Sequence, residues 1–232
     1  MTERPVQATI EGRWRDVAAI EGAFARGEID QATWHARMAA LIVPAYLGAD
    51  NPRGQSGYSG SETDWWLARS LVADAIPRSG TLLDIGCANG LLMESVHQWC
   101  AERGLTVEPF GVDIVPELAR LAQRRLPHWA DRIFVGNAAS WIPPRRFDFV
   151  RTGLEYVPLG LRSAFLAHLT TNYLTPNGRL LIGSYNEERD ETRGAAALEE
   201  QVRSWGFNIA GRIERPHAHD PRVVRRLFYV DV

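Results

Sequence analysis

Gly80-Thr-Leu-Leu-Asp-Ile-Gly-Cys-Ala-Asn-Gly90 decides how the rest of this chain is read. Thr81 to Ile85 is an apolar run of strand type carrying one acid, Asp84. Gly86 and Gly90 bracket a turn with no bulky side chain, and Leu91, Leu92 and Met93 open a helical pattern. Strand, small-residue turn and helix form half of a βαβ nucleotide-binding unit. Glycines let the backbone approach a ligand closely, and the helix N-terminus beyond them offers unpaired N–H groups. Asp84 separates two kinds of ligand. A dinucleotide pyrophosphate is served by the helix dipole and opposed by a nearby carboxylate, whereas an acid at the strand end suits a ligand carrying an ammonium group. From the turn alone a nicotinamide-dependent oxidoreductase stays open as the alternative.

Further along, the same pattern repeats. Residues 106–114 read as a second strand ending at Asp113, 29 positions after Asp84, with Ile114 next to it. An acid there accepts from both hydroxyls of a ribose, and it also suits a cap for the helix opened by Pro116-Glu-Leu-Ala-Arg120. A helix over 116–126 leads to a third strand over 132–136, followed by Asn137 and Ala138. A fourth strand over 147–151 runs into Thr152-Gly-Leu-Glu-Tyr-Val-Pro158. A helix over 160–173, the turn Thr175-Pro-Asn-Gly178 and a strand over 179–183 follow. The loop 184–190 carries Tyr185, and a helix over 191–205 precedes strands over 207–213 and 223–230. These elements predict an α/β fold with a seven-stranded, mostly parallel Rossmann-like sheet and helices on both faces. Ligands of such sheets gather outside the carboxyl ends of the strands, here the loops at Asp84, Asp113, Asn137, Thr152–Tyr156 and Tyr185.

Asp84-Ile85-Gly86-Cys87-Ala88-Asn89-Gly90 resembles the first motif of class I S-adenosylmethionine-dependent methyltransferases, an acid followed by Gly-x-Gly-x-Gly, with Ala88 in the place of the middle glycine. Phe147-Asp-Phe-Val150 and the helix, Pro-x-Gly turn and strand of 160–183 are similar to later parts of that family, so the resemblance covers about residues 61–232. It implies an enzyme that holds S-adenosyl-L-methionine at Asp84, Gly86, Cys87, Ala88 and Gly90, at Asp113 and Ile114, at Asn137 and Ala138, and at Thr152 and Gly153. The family usually has an acid where Asn137 stands; the Asn side-chain oxygen also accepts from an adenine amino group.

The methyl of that cofactor sits on an activated sulfonium, so the protein mainly aligns the acceptor and excludes water. A base helps where the acceptor is protonated. Glu155 and Tyr156 are the first catalytic candidates. Glu155 can hold an ammonium or hydroxyl acceptor and take its proton, or be a solvated loop acid or helix cap; Tyr156 can instead pack against the cofactor. His217, in Pro216-His-Ala-His-Asp220, is an acid–base candidate with His219, and two histidines with one Asp fall short of a metal ligand set. No metal is expected. Cys87 reads as a small turn residue before it reads as a nucleophile.

Residues 1–60 read as an N-terminal helical lid on a domain over 61–232. An amphipathic helix over 13–26 ends at Gly27, and Asp30 caps a second with Trp34, Met38, Leu41 and Ile42 at helical spacing, stopped by Pro44. The Gly/Asn/Pro stretch 48–60 suits a binding segment or a solvated connector. Tyr58, an aromatic among glycines with little core to join, is its candidate site residue. Ser61-Glu-Thr-Asp64 is a capping box opening a helix that reaches Ile76. Its pair Trp65-Trp66 reads as packing, or as a ligand cage.

The 232 residues, 45% hydrophobic, suffice for one α/β domain with an appendage. All 26 basic residues are arginine, the adjacent ones forming only the scattered pairs Arg124-Arg125, Arg145-Arg146 and Arg225-Arg226, and the net charge is −2, which gives no footprint for nucleic acid. No apolar stretch approaches the roughly 20 residues of a membrane span, the first residues lack a leader's apolar core, and two cysteines exclude a disulfide scaffold. The expectation is a cytoplasmic enzyme, monomer or homodimer, that methylates nitrogen or oxygen of a small polar metabolite, with an amino-bearing natural product or sugar as the narrower case. RNA or protein as acceptor, and a non-catalytic cofactor-binding module, are the alternatives.

Overall fold

The computed structural model of the chain describes residues 3–183, 195–217 and 224–232. Helices α1 (Glu3–Ala25), α2 (Gln31–Leu47), α3 (Glu62–Arg69) and α4 (Leu71–Asp74) precede β1 (Gly80–Ile85). Then come α5 (Leu91–Glu102), β2 (Val107–Asp113), α6 (Pro116–Arg125), β3 (Ile133–Val135) and β4 (Phe147–Thr152). The chain closes with α7 (Arg162–Asn172), β5 (Leu174–Gly183), α8 (Ala195–Ser204), β6 (Gly211–Pro216) and β7 (Val224–Asp231). The strands form one seven-stranded sheet in the order β3-β2-β1-β4-β5-β7-β6, parallel except for β7, which runs against both neighbours.

The central strands are apolar almost throughout because helices cover both faces. Alternate residues part to opposite sides. Leu82, Phe149 and Leu181 pack with Val72, Ile76, Val96 and Cys100, while Leu83, Val150 and Ile182 pack with Phe165, Leu166 and Leu169 of α7. Each such fully buried side chain contributes about 1.5–3 kcal/mol. At the amino edge of the sheet, Asp148 accepts from Thr81 N at 2.9 Å, from Thr81 Oγ1 at 3.0 Å and from Arg78 at 2.8 Å. The acid of Phe147-Asp-Phe-Val150 therefore clamps β4 to β1, at the end of the strands away from the glycine turn. The strand order reverses between β1 and β4, where an open sheet forms its ligand crevice. Their register sets Asp84 beside Arg151.

Five element bounds differ clearly from the sequence expectation. Strand β5 begins at Leu174 rather than at 179, so the expected turn over 175–178 is part of the strand. Helix α1 begins at Glu3 rather than at 13, with Pro5 in its first turn, where a missing N–H costs nothing. Helix α2 runs through Pro44 to Leu47. Proline there removes one bond, the last turn closes through Gly48 N to Pro44 O at 3.0 Å, and Val43 and Tyr46 gain a buried surface to pack on. The helix opened by the Ser61 capping box, which is present in full, breaks at Ser70 into α3 and α4. The sixth strand spans 211–216, and residues 207–210 precede it without regular structure.

Candidate active site

The turn after β1 is built on left-handed backbone at Gly86 (φ +69°), Ala88 (φ +48°) and Gly90 (φ +75°). A Cβ at Gly86 would lie 2.7 Å from Tyr156 Cζ, so only glycine lets that ring rest on the turn. Ala88 occupies the left-handed region at a cost of roughly 1–2 kcal/mol for an L-residue. Its methyl is buried with Val115 and Leu118 against Ala39, Val43 and Tyr46 of α2. Asp113, at the end of β2, braces the turn: its two oxygens accept from Ala88 N and Val115 N, each at 2.8 Å. Burial pushes its carboxyl up to about 6, opposed by those two N–H groups and assisted by the nearby Asp84. It braces the turn and the loop before α6 rather than capping that helix, whose N-cap is Val115 with no side-chain cap, and each carboxylate oxygen keeps lone-pair capacity for a further donor.

Asp84 and Arg151 form an ion pair at 3.0 Å with both side chains buried. The same Arg151 Nη1 donates to Ile85 O at 3.1 Å and to the Tyr156 hydroxyl at 2.9 Å. Burial raises the Asp84 carboxyl and Arg151 counters it. The other oxygen of Asp84, Oδ2, is buried with no hydrogen-bond partner, which for a carboxylate is a costly state that a donor would relieve.

The N-terminal segment is tied to the site through Asn89 of the turn and through Tyr156. Asn89, fully buried, donates to Pro52 O at 2.8 Å, and its Oδ1 accepts from Ser56 Oγ and from Leu91 N. His35 of α2 meets Gln31 O through Nδ1 at 2.9 Å and Tyr156 O through Nε2 at 3.1 Å, with the Asn137 amide 3.5 Å from Nδ1. Tyr46 lays its hydroxyl where a Cβ on Gly57 (φ +74°) would stand, 2.1 Å away. Burial raises the Tyr46 hydroxyl, and Asp113 and Glu155 add to it. Together these elements enclose a cavity of about 1210 Å³ over the carboxyl ends of β1, β2 and β4.

Solved structures share this architecture. A Burkholderia thailandensis 1,6-didemethyltoxoflavin-N1-methyltransferase, with 1,6-didemethyltoxoflavin and S-adenosylhomocysteine bound, matches with a TM-score of 0.60 over 88% of this chain and 90% of its own at 21% identity. The putative methyltransferase complexed with the Haloferax volcanii Trm112 activator matches with a TM-score of 0.58, over 82% and 96% of the chains at 16% identity. A SAM-dependent methyltransferase from Aquifex aeolicus gives 0.54, over 81% and 97% at 14% identity. The chain has the class I methyltransferase fold. No protein-family model matches it, and no curated protein matches its sequence.

Within this methyltransferase fold the expected residues divide. Asp84, Gly86, Cys87, Ala88, Asp113, Ile114, Asn137, Ala138, Glu155, Tyr156 and Tyr58 line the one cavity. Gly90, Thr152, Gly153 and His217 do not. Gly90 faces Leu126, where a Cβ would lie 2.7 Å from Cδ1. Thr152 is buried and donates to Gly153 O at 3.0 Å, while the Glu155 carboxylate lies over Gly153. His217 follows the end of β6. Tyr185 and His219 lie outside the described residues. Tyr58 finds a core after all: its ring meets Trp65 edge-on at 5.5 Å, with the Arg69 guanidinium 5.4 Å from its centroid. Of the Trp pair, Trp65 is buried and donates to Ser95 at 3.0 Å, and Trp66 lies under Arg215. Burial pushes the Cys87 thiol far up, which leaves it no nucleophile. Among the described residues no group of His, Cys, Asp and Glu could hold a metal. Sequence reasoning missed Arg151, Asn89, His35 and Tyr46. Arg151 alone carried a local signal, a charge closing an apolar strand.

Proposed function

We propose that this chain is an S-adenosyl-L-methionine-dependent methyltransferase that modifies nitrogen or oxygen of a small molecule held beneath residues 1–60, with 61–232 as the catalytic domain. One observation carries this reading: a buried carboxylate oxygen without a partner, Asp84 Oδ2, belongs to a cavity-lining acid beside a glycine turn at the switch point of the methyltransferase fold. An ammonium group supplies the donors that Asp84 lacks. Asp113 would take the ribose hydroxyls, Ile114 and Ala138 would flank the base, and the Asn137 oxygen, which accepts from Ala139 N at 3.0 Å, has a second lone pair for its amino group.

When bound, that cofactor supplies a methyl carbon already activated for displacement. The chain's own work is then placement. Tyr156, held by Arg151 and by His35 through its carbonyl, fixes the segment that carries Glu155. Glu155 lines the cavity and is the acid available to orient a donor-bearing acceptor and receive its proton. A polynucleotide or folded protein is poorly served by a cavity that α1 and α2 help to wall. No helix among the described residues is long and apolar enough to cross a membrane. We assign a cytoplasmic enzyme, monomer or homodimer.

Calorimetry of the whole chain against S-adenosylmethionine and against a nicotinamide dinucleotide tests the cofactor, and dinucleotide binding alone overturns it. Methyl transfer from radiolabelled cofactor into a metabolite library tests the acceptor. Label that enters RNA or protein and no small molecule overturns that part.

A further inference from the structure

The cavity extends past the turn to a wall drawn from four separate parts of the chain: Trp14 and Val17 of α1, Met38 and Ile42 of α2, Leu159 after β4, and Leu198 of α8. Three of these are large, apolar and open to solvent, Trp14 at 38%, Ile42 at 40% and Leu159 at 53% exposure. Single exposed apolar side chains are ordinary, but several converging on one cavity mark a surface that binds. The acid on this wall is engaged: Glu21 accepts from Leu159 N at 3.3 Å. The volume of about 1210 Å³ exceeds the roughly 300–1,000 Å³ of a single small-ligand pocket, which leaves room for a second molecule beside a nucleoside-sized one. Aromatic side chains line the cavity at both ends, Trp14 at the solvent rim and Tyr156 against the glycine turn. Aromatic faces of this kind stack favourably on flat apolar ligands.

We infer that the acceptor is a flat, largely apolar aromatic compound with one nitrogen or oxygen as its polar handle, seated on Trp14, Met38, Ile42 and Leu159. The inference rests on the methyltransferase reading for the word acceptor and narrows its small molecule to an apolar body bearing a single polar atom, in place of the small polar metabolite or sugar that the sequence led one to expect. Its apolar part stays against the rim, and its handle faces Glu155, the cavity-lining acid of the segment after β4.

The test measures binding rather than turnover. Calorimetry on the full chain, with and without saturating S-adenosylhomocysteine, compares 2-naphthol with glucosamine. The expected result is saturable one-to-one binding of 2-naphthol and none of glucosamine. Ile42→Glu and Leu159→Glu, both at exposed positions, should each weaken 2-naphthol by at least about fivefold and leave S-adenosylhomocysteine within about twofold. Glucosamine binding without 2-naphthol binding overturns the inference, as does a 2-naphthol affinity unchanged in both variants. So does a concentration-dependent dimer that both glutamates dissolve, since the rim would then be covered by a second copy. Failure to bind S-adenosylhomocysteine refutes the cofactor instead, and the cofactor-free 2-naphthol measurement judges the apolar seat independently.

Discussion

Replacing Asn89 by alanine should loosen the joint between the 48–60 segment and the cofactor turn. Asn89 is fully buried and makes three side-chain hydrogen bonds, to Pro52 O, Ser56 Oγ and Leu91 N. A typical intramolecular hydrogen bond is worth about 1 kcal/mol net. The partners do not lose equally. Pro52 is exposed and Ser56 half-buried, so water replaces much of what they lose. Leu91 N, the first N–H of α5, loses its acceptor, and an unsatisfied donor there costs about 1–3 kcal/mol. The expected destabilisation is about 2–3 kcal/mol. For a chain of this size that lowers Tm by about 4–12 °C. Urea unfolding measures the total, and a double-mutant cycle with Ser56→Ala isolates the loop contact, with an expected coupling of about 0.5–1.5 kcal/mol. Limited proteolysis should cut within 48–60 faster in Asn89→Ala than in the parent. A loss below about 0.5 kcal/mol, or strict additivity with Ser56→Ala, would refute the idea that this residue fastens the segment to the turn.

Asp113 carries a pH prediction. Its carboxyl stands at about 6 against an ordinary 3.8, so between those values the folded chain binds the proton that the unfolded chain has released. The sign follows: this group makes stability fall as pH rises from about 4 to 6, by about 3 kcal/mol at most, and denaturant titrations across that window should show the downward component. S-adenosylhomocysteine affinity should move the other way, weakening as pH drops through about 6 and the ionised acceptor is lost, and Asp113→Ala should weaken it by about 1–3 kcal/mol and flatten that dependence. Arg151→Leu should destabilise by about 3–5 kcal/mol because it leaves Asp84 buried and uncompensated, and adding Asp84→Asn should recover part of the loss in thermal unfolding. His35→Ala should cost about 0.5–1.5 kcal/mol, the worth of the one hydrogen bond that a neutral imidazole donates to Gln31 O or Tyr156 O; His35→Gln, which keeps a donor, should recover some of it in the same assay.

The parts legible in the sequence are those whose cause is local. The turn at 80–90 is readable because its conformation demands small residues at fixed spacing and its chemistry demands an acid at the strand end. The central strands β1, β2, β4 and β5 are readable because parallel strands buried on both faces are continuous apolar runs. Local rules fail where burial outweighs them. Pro44 reads as a stop, yet α2 continues because Val43 and Tyr46 have Ala88, Val115 and Leu118 to pack on. Tyr58 reads as coreless because its neighbours in sequence are glycines, and its neighbours in space are Trp65 and Arg69.

The candidate site splits along the same line, and the division has a physical reason. Asp84 and Asp113 announce themselves because a charged residue closing an apolar strand has few structural uses. Arg151 closes its strand in the same way, but its meaning needs the register that sets it beside Asp84. His35 and Asn89 announce nothing. A histidine on a helix and an asparagine in a turn are ordinary until a partner 121 residues away, for His35, or 37 residues away, for Asn89, makes them joints. Such contacts are set only after the sheet has formed and α2 has docked on it, because their geometry depends on both. The acid and the glycine turn of the proposed cradle are therefore encoded in one stretch of chain. Its closure is encoded in pairs of positions that a linear reading keeps apart, and for this reason substitutions at His35 and Asn89 should disturb the site as strongly as substitutions at the glycines of the turn.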